Sequence, residues 1–305
     1  MLVPIYVALV VAILFYVVLP VMGGYFARNQ WRRFRERLLE LSGSPLLRRE
    51  SWAFDADRGV LDGSYRFYGE IEALEGENRI WVRGRDLTVV VDLGASWFQI
   101  LADEGREEPL AGGYSFVERM RWSRVRVFPE SARVFVGGLV RLEDGVPVFI
   151  NDPRESLIVV SYEGGEAELL PRLIAGGRVP NEYWNPLSRT SIALGFGLLA
   201  FFFAFGGGHW LPTILFFSIL VSLTPVLCLL PPGLFLFILY RRFWNKALSQ
   251  RVQRDLYRLA MAGDSIALSR RAARNALTYT SISGLCLAAA LMLNMVTAFL
   301  IWHTT

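Results

Sequence analysis

Residues 210–240 form 31 consecutive positions without a charged side chain, and the run stops at Arg241-Arg242. So long an apolar run must be covered by protein or by lipid hydrocarbon, which removes most soluble folds from consideration. As one helix it would measure about 46 Å, against a hydrocarbon core of roughly 30 Å. Pro225 and Pro231-Pro232-Gly233 relieve the excess, because each proline removes a backbone donor and kinks or breaks a helix. The expectation is a single crossing over 210–240 with a helix break at these residues. Two uses of the break stay open: a notch lining a pathway, as in transporters, or a kinked anchor. The run contains no ionisable residue, which favours the anchor.

Three further charge-free apolar runs follow the same logic, at 1–27, 190–205 and 276–302. A mean hydropathy of +0.35 agrees with them. No basic residue precedes the first run, and Pro20-Val21-Met22-Gly23 offers no small-x-small cleavage pattern, so a retained anchor is expected rather than a signal peptide. The chain therefore predicts four transmembrane helices, at 1–24, 188–208, 210–240 and 276–302.

Charge decides the sidedness. Residues 28–49 carry seven Arg against two Glu, and residues 241–276 carry eight Arg and one Lys against two Asp. Residues 51–187 are opposite in sign, with 15 Arg against 23 acids. Cationic blocks next to spans mark the cytoplasmic face. One crossing at 210–240 puts both blocks inside, whereas two would split them. The expected protein is a multi-pass component of the inner (cytoplasmic) membrane, with both termini outside and residues 51–187 in the cytoplasm. Candidate contacts to anionic headgroups of the inner leaflet are Arg28, Arg32, Arg33 and Arg35 in the 25–50 segment. Arg241, Arg242, Lys246 and Arg251 play that part in 241–275. Trp31, Phe34, Leu38 and Leu41 make one apolar helical stripe, which either lies on lipid or packs on the β domain. Gly284 and Ala288, four apart in the last span, would let a neighbouring helix come close, possible homo-oligomer contacts included. Asn294 should seek a polar partner.

Residues 51–187 read as β: short runs rich in Val, Ile, Phe, Trp and Tyr, punctuated by Gly, Asp, Asn and Pro. An internal repeat runs through them. Phe67-Tyr68-Gly69 and Leu74-Glu75 match Phe135-Val136-Gly137 and Leu142-Glu143 at an offset of 68, and Ile80-Trp81-Val82 matches Val148-Phe149-Ile150. Ala111-Gly112-Gly113 echoes Ala175-Gly176-Gly177. Two copies, over about 65–122 and 133–184, predict a duplicated small β-barrel or sandwich. The fold class expected is membrane α plus all-β.

Within the second copy, Pro147-Val148-Phe149-Ile150-Asn151-Asp152 leads to Leu157-Ile158-Val159-Val160-Ser161. A span followed by this pattern resembles the membrane-adjacent β domain of GIDE-type membrane ubiquitin ligases, over roughly residues 130–165. The resemblance implies a β module beside a membrane. The Cys/His set of a RING domain is missing, so ligase activity is not implied.

No catalytic constellation is found, and the chain is read as non-enzymatic. Only His209 and His303 exist, with the sole lysine at Lys246 and cysteines at Cys228 and Cys286, so neither metal nor other cofactor is expected. Asp103-Glu104, Glu107-Glu108 and Glu143-Asp144 sit in turn-like surroundings and read as solvated loops. Arg119, Arg121, Arg124 and Arg126 alternate with Met120, Trp122, Val125 and Val127, but the surrounding acidity argues against nucleic acid. The function expected is an integral membrane scaffold or adaptor presenting a cytoplasmic β domain to a protein partner. The alternative is a subunit of a small-molecule transporter or channel, with a membrane-embedded hydrolase third.

Overall fold

The computed structural model describes residues 3–50, 63–94, 96–101, 117–122, 132–153, 155–178, 185–205, 218, 220–223, 227–260 and 265–304. The chain divides into two compact units: residues 1–31, 179–254 and 267–305 in one, and 32–178 with 255–266 in the other.

The second unit holds eight strands, β1 (Gly63–Glu75), β2 (Arg79–Arg83), β3 (Thr88–Asp92), β4 (Trp97–Leu101), β5 (Val117–Arg121), β6 (Arg133–Glu143), β7 (Val146–Ile150) and β8 (Ile158–Ser161). Their order is β1-β2-β3-β7-β6-β8-β4-β5, and β1 also pairs with β6. The first five therefore close into a ring, antiparallel except for the parallel contact Val90↔Val148 and Val91↔Phe149 between β3 and β7. This is the connectivity of an OB-type barrel. Closure removes two sheet edges and gives the alternating residues a common interior. Tyr65 and Phe67 of β1, Ile80 and Val82 of β2, Val89 and Val91 of β3, Val134 and Val136 of β6 and Phe149 of β7 are buried in one core. The β6–β7 connection is Asp144-Gly145, with φ of 49° and 79°; two left-handed residues make the tight hairpin whose twist suits the strands.

β1 makes the barrel corner. Its first half pairs with β6 as far as Glu70↔Arg133, and its second half pairs with β2 from Glu70↔Arg83 onward. Gly69 sits at this exchange of partners. A Cβ there would lie 2.5 Å from the Arg83 carbonyl oxygen, so the close approach of β2 requires glycine.

The sequence analysis expected residues 51–187 to be wholly β and duplicated. The hairpins β1–β2 and β6–β7 do occupy the positions related by the offset of 68. The third strands differ, since β3 pairs with β2 and β7 whereas β8 pairs with β6 and β4. Residues 111–113 lie outside the described residues, and their expected counterpart 175–177 ends a helix, α3 (Glu166–Gly176). Leu169, Leu170, Leu173 and Ile174 are its buried face, a helical spacing that overrides the match to a β segment. The stripe before the barrel is also settled: Phe34, Leu38 and Leu41 are buried. Gly137 of β6 gives Leu41 its seat, with the ideal Cβ position only 2.6 Å from the leucine methyl.

The first unit is helical. α1 (Val3–Ile13) continues through a π-helical turn, Leu14–Val18, into α2 (Leu19–Gly43). α4 (Pro186–Phe205), α5 (Leu234–Leu259) and α6 (Ser265–Thr304) follow. Pro20 has no N–H to give to the turn before it. The Ser191 hydroxyl donates to the Phe15 carbonyl there. Two helical stretches, Leu9–Gly43 and Ser265–Thr304, are long and apolar enough to cross a membrane. Only 28% and 11% of their most apolar windows are buried by the protein, so this surface has no polypeptide cover and suits a lipid environment. α4 is apolar over Leu187–Phe201, a shorter stretch. Much of 206–226 lies outside the described residues, so four spans are not established.

Candidate functional site

The corner at Gly69 opens a cleft of about 560 Å³. Its walls are Tyr68, Gly69 and Glu70 of β1, Arg83, Gly84 and Arg85 at the end of β2, Arg133 of β6, Tyr162 after β8 and Glu166 of α3. A pocket of this volume takes a small organic molecule. The Tyr68 and Tyr162 rings meet edge to face with centroids 6.5 Å apart. Tyr162 is 4% exposed. Burial, reinforced by the negative charge of Glu166, pushes this phenol up to about 12; burial also raises Tyr68. Both hydroxyls thus remain donors across the physiological range.

Each arginine in the cleft is loosely held. Arg83 reaches Glu72 at 3.5 Å, Arg85 reaches Glu166 at 3.7 Å, and Arg133 reaches Glu70 at 3.9 Å. Arg133 also donates to the Gly164 carbonyl at 3.1 Å. Arg85 is 91% exposed at its side chain. Exposed pairs at these separations contribute little, so the guanidinium forks keep unused donors.

A second charged cluster is closed rather than open. Asp255 accepts from Arg178, and Arg35 Nε lies 3.8 Å from the same carboxylate oxygen. Arg35 also donates to the Gly177 carbonyl at 2.6 Å. The three side chains are 3%, 7% and 12% exposed. They tie the end of α3 to residues of α2 and α5 within the barrel unit.

The proline break is filled from α6. Asn294 Nδ2 donates to the carbonyls of Leu227 and Leu230 at 2.6 and 2.9 Å, and its Oδ1 accepts from Gly233 N at 2.8 Å. The amide gives Gly233 N its acceptor and adds a second donor to the Leu227 and Leu230 carbonyls, which also accept from Leu230 N and Leu234 N at 3.2 and 3.1 Å. Gly233 has no room for a Cβ, whose ideal position is 2.7 Å from the Ala290 carbonyl oxygen. The Pro231-Pro232 peptide is cis, and Pro225 lies outside the described residues.

The remaining predicted residues separate into groups. Arg28, Arg32, Arg33, Arg241 and Arg242 are exposed, with Arg32 bonded to Glu36 at 2.8 Å. Arg35 is turned into the protein, as described. Arg251 donates to Thr280 at 2.7 Å, and Lys246 is exposed with its ammonium 5.9 Å from the Tyr279 ring. Gly284 and Ala288 are exposed; the buried positions of α6 within 276–302 are instead Ala276, Ser283, Ala290 and Asn294. Arg119 and Arg121 lie over Trp97 at 4.3 and 5.6 Å, a cation–π arrangement, while Arg124 and Arg126 lie outside the described residues, as does His209. Among the described residues no group of three or more His, Cys, Asp or Glu could hold a metal.

No family model, no curated protein and no solved structure matches the chain. The cleft and the Asp255 cluster both escaped sequence reasoning. Their members lie 98 (Tyr68 to Glu166) and 220 (Arg35 to Asp255) residues apart at the extremes, and only the barrel closure brings Tyr68 and Tyr162 together.

Proposed function

We propose that the protein is a non-enzymatic integral membrane adaptor whose barrel unit recognises a partner at the inner leaflet of the cytoplasmic membrane. The observation that carries this reading is a polar, folded barrel with an open charged cleft, in a chain whose Leu9–Gly43 and Ser265–Thr304 helices have uncovered apolar surfaces. Four crossings, at 1–24, 188–208, 210–240 and 276–302, would leave both arginine-rich blocks and the barrel inside, as the positive-inside rule asks. The GIDE-like pattern over residues 130–165 agrees with a β module working beside a bilayer. A transport role would need the polar groups of the proline break to be open to a permeant; the Asn294 amide occupies them, so the adaptor reading is preferred.

Site-specific photo-crosslinking in intact cells tests it. A photoreactive residue placed at Glu72, Arg85 or Asp152 of the full chain should give discrete adducts with a protein partner, while one at Leu285 should not. Adducts at none of the barrel positions would overturn the reading.

A further inference from the structure

The barrel cleft has a composition that the adaptor role alone does not explain. Residues 51–187 carry 15 Arg against 23 acids, yet the cleft is lined by three Arg and two Glu. The local sign is reversed, so the cleft is a donor-rich site in an otherwise acidic domain. Its three guanidiniums face exposed carboxylates at 3.5–3.9 Å, and Arg133 also donates to the Gly164 carbonyl. Fork-shaped donors that converge from β2 and β6 suit the several oxygens of a phosphate group better than the two of a carboxylate.

Tyr162 adds an independent observation. Its ring is buried while the residue lines the cleft, so its hydroxyl is a donor that a ligand there can use. α3 begins beside it at Gly165, a residue with no side chain to cap the helix, and helix N-termini favour anions. The volume of about 560 Å³ exceeds what a bare phosphate fills. The Tyr68 ring offers an apolar surface, and Glu70 and Glu166 offer acceptors that a phosphate would repel but hydroxyl groups would satisfy.

We infer that this cleft binds a phosphorylated polyol, a phosphate group joined to a sugar or glycerol moiety. Arg83, Arg85 and Arg133 receive the phosphate, the Tyr162 hydroxyl donates to it, and Glu70 and Glu166 accept from the polyol hydroxyls. The inference rests on the reading of the barrel as a recognition module. Such a ligand has two sources, a soluble sugar phosphate or the headgroup of a glycerophospholipid.

Calorimetric titration of the full chain in a neutral maltoside detergent separates the outcomes. Ribose 5-phosphate should bind saturably at or below about 1 mM, and ribose or inorganic phosphate alone about tenfold more weakly. Arg83→Gln/Arg85→Gln, both exposed and therefore compatible with folding, should weaken binding at least tenfold. Tyr162→Phe should weaken it several-fold, and Arg241→Gln/Arg242→Gln should leave it unchanged. The lipid source is read from thermal stabilisation in phosphatidylcholine nanodiscs with and without one-fifth phosphatidylglycerol. Stabilisation abolished by Arg83→Gln/Arg85→Gln, without soluble binding, supports the site and assigns the phosphate to a headgroup. No saturable effect from either source, or effects that persist in that double variant, overturns the inference. Partner crosslinking at the barrel is scored separately, so the two proposals fail independently.

Discussion

Asp255→Asn is the sharpest perturbation of the barrel unit. The carboxylate is 3% exposed and serves two guanidiniums, Arg178 and Arg35, themselves 7% and 12% exposed. Asparagine keeps the shape and one acceptor oxygen but removes the negative charge that both guanidiniums face. Removing one partner of a buried pair costs about 3–5 kcal/mol, because the remaining charge stays desolvated. For a unit of this size, each kcal/mol shifts the melting temperature by about 2–4 °C, so the expected loss is about 6–20 °C. The Arg32–Glu36 pair supplies the control: its side chains are 70% and 51% exposed, and Glu36→Gln should cost no more than about 1 kcal/mol. Tryptophan fluorescence of the full chain in detergent, followed on heating, reads both variants. A further variant sharpens the logic, since Asp255→Leu/Arg178→Met removes the pair together and should recover part of the loss. Equal shifts for Asp255→Asn and Glu36→Gln would refute the claim that this cluster is a buried, mutually dependent set.

Three further expectations come from other parts of the molecule. Asn294→Ala takes the acceptor from Gly233 N and one donor each from the Leu227 and Leu230 carbonyls; it should destabilise the helical unit by about 1–3 kcal/mol, measured by denaturant titration in mixed micelles, and a loss below that of Thr297→Ala would contradict the capping role. Gly69→Ala drives a methyl onto the Arg83 carbonyl and should cost about 1–3 kcal/mol, where a neutral result would mean that β1 and β2 can separate at the corner. Tyr162 is displaced upward from 10 to about 12, so its neutral form is favoured in the fold. Its stabilising contribution is complete below pH 10 and is lost as pH rises through about 12. Phenolate absorbance should show one tyrosine titrating near 12 that disappears in Tyr162→Phe, and an unchanged titration curve would refute the burial argument.

What the sequence reveals depends on the distance over which the information is encoded. The strands are legible because alternation and turn residues act within a few positions; Asp144-Gly145 alone marks the β6–β7 hairpin. The barrel closure is not, because the β1–β6 ladder joins residues about 70 apart and the parallel β3–β7 contact has no local signature. α3 was missed for a different reason. Leu169, Leu170, Leu173 and Ile174 carry a helical period, but the repeat match at 175–177 drew the segment into the β count. The proline break was visible as composition, whereas its filling by Asn294, 61 residues beyond Gly233, is a tertiary fact. Arg35 illustrates the limit of charge counting: it stands among exposed arginines in sequence, and only the fold shows that it points at Asp255.

The proposed adaptor role depends on residues 210–240 traversing the bilayer once, which would leave the arginine-rich segments and the barrel on the cytoplasmic side. Labelling with a membrane-impermeant maleimide, on a background with Cys228→Ala and Cys286→Ala, addresses it directly. In intact cells Gly207→Cys should be modified and Ser249→Cys spared, with Ser249→Cys becoming reactive after permeabilisation. Modification of Ser249→Cys in intact cells, with Gly207→Cys protected, would contradict the account.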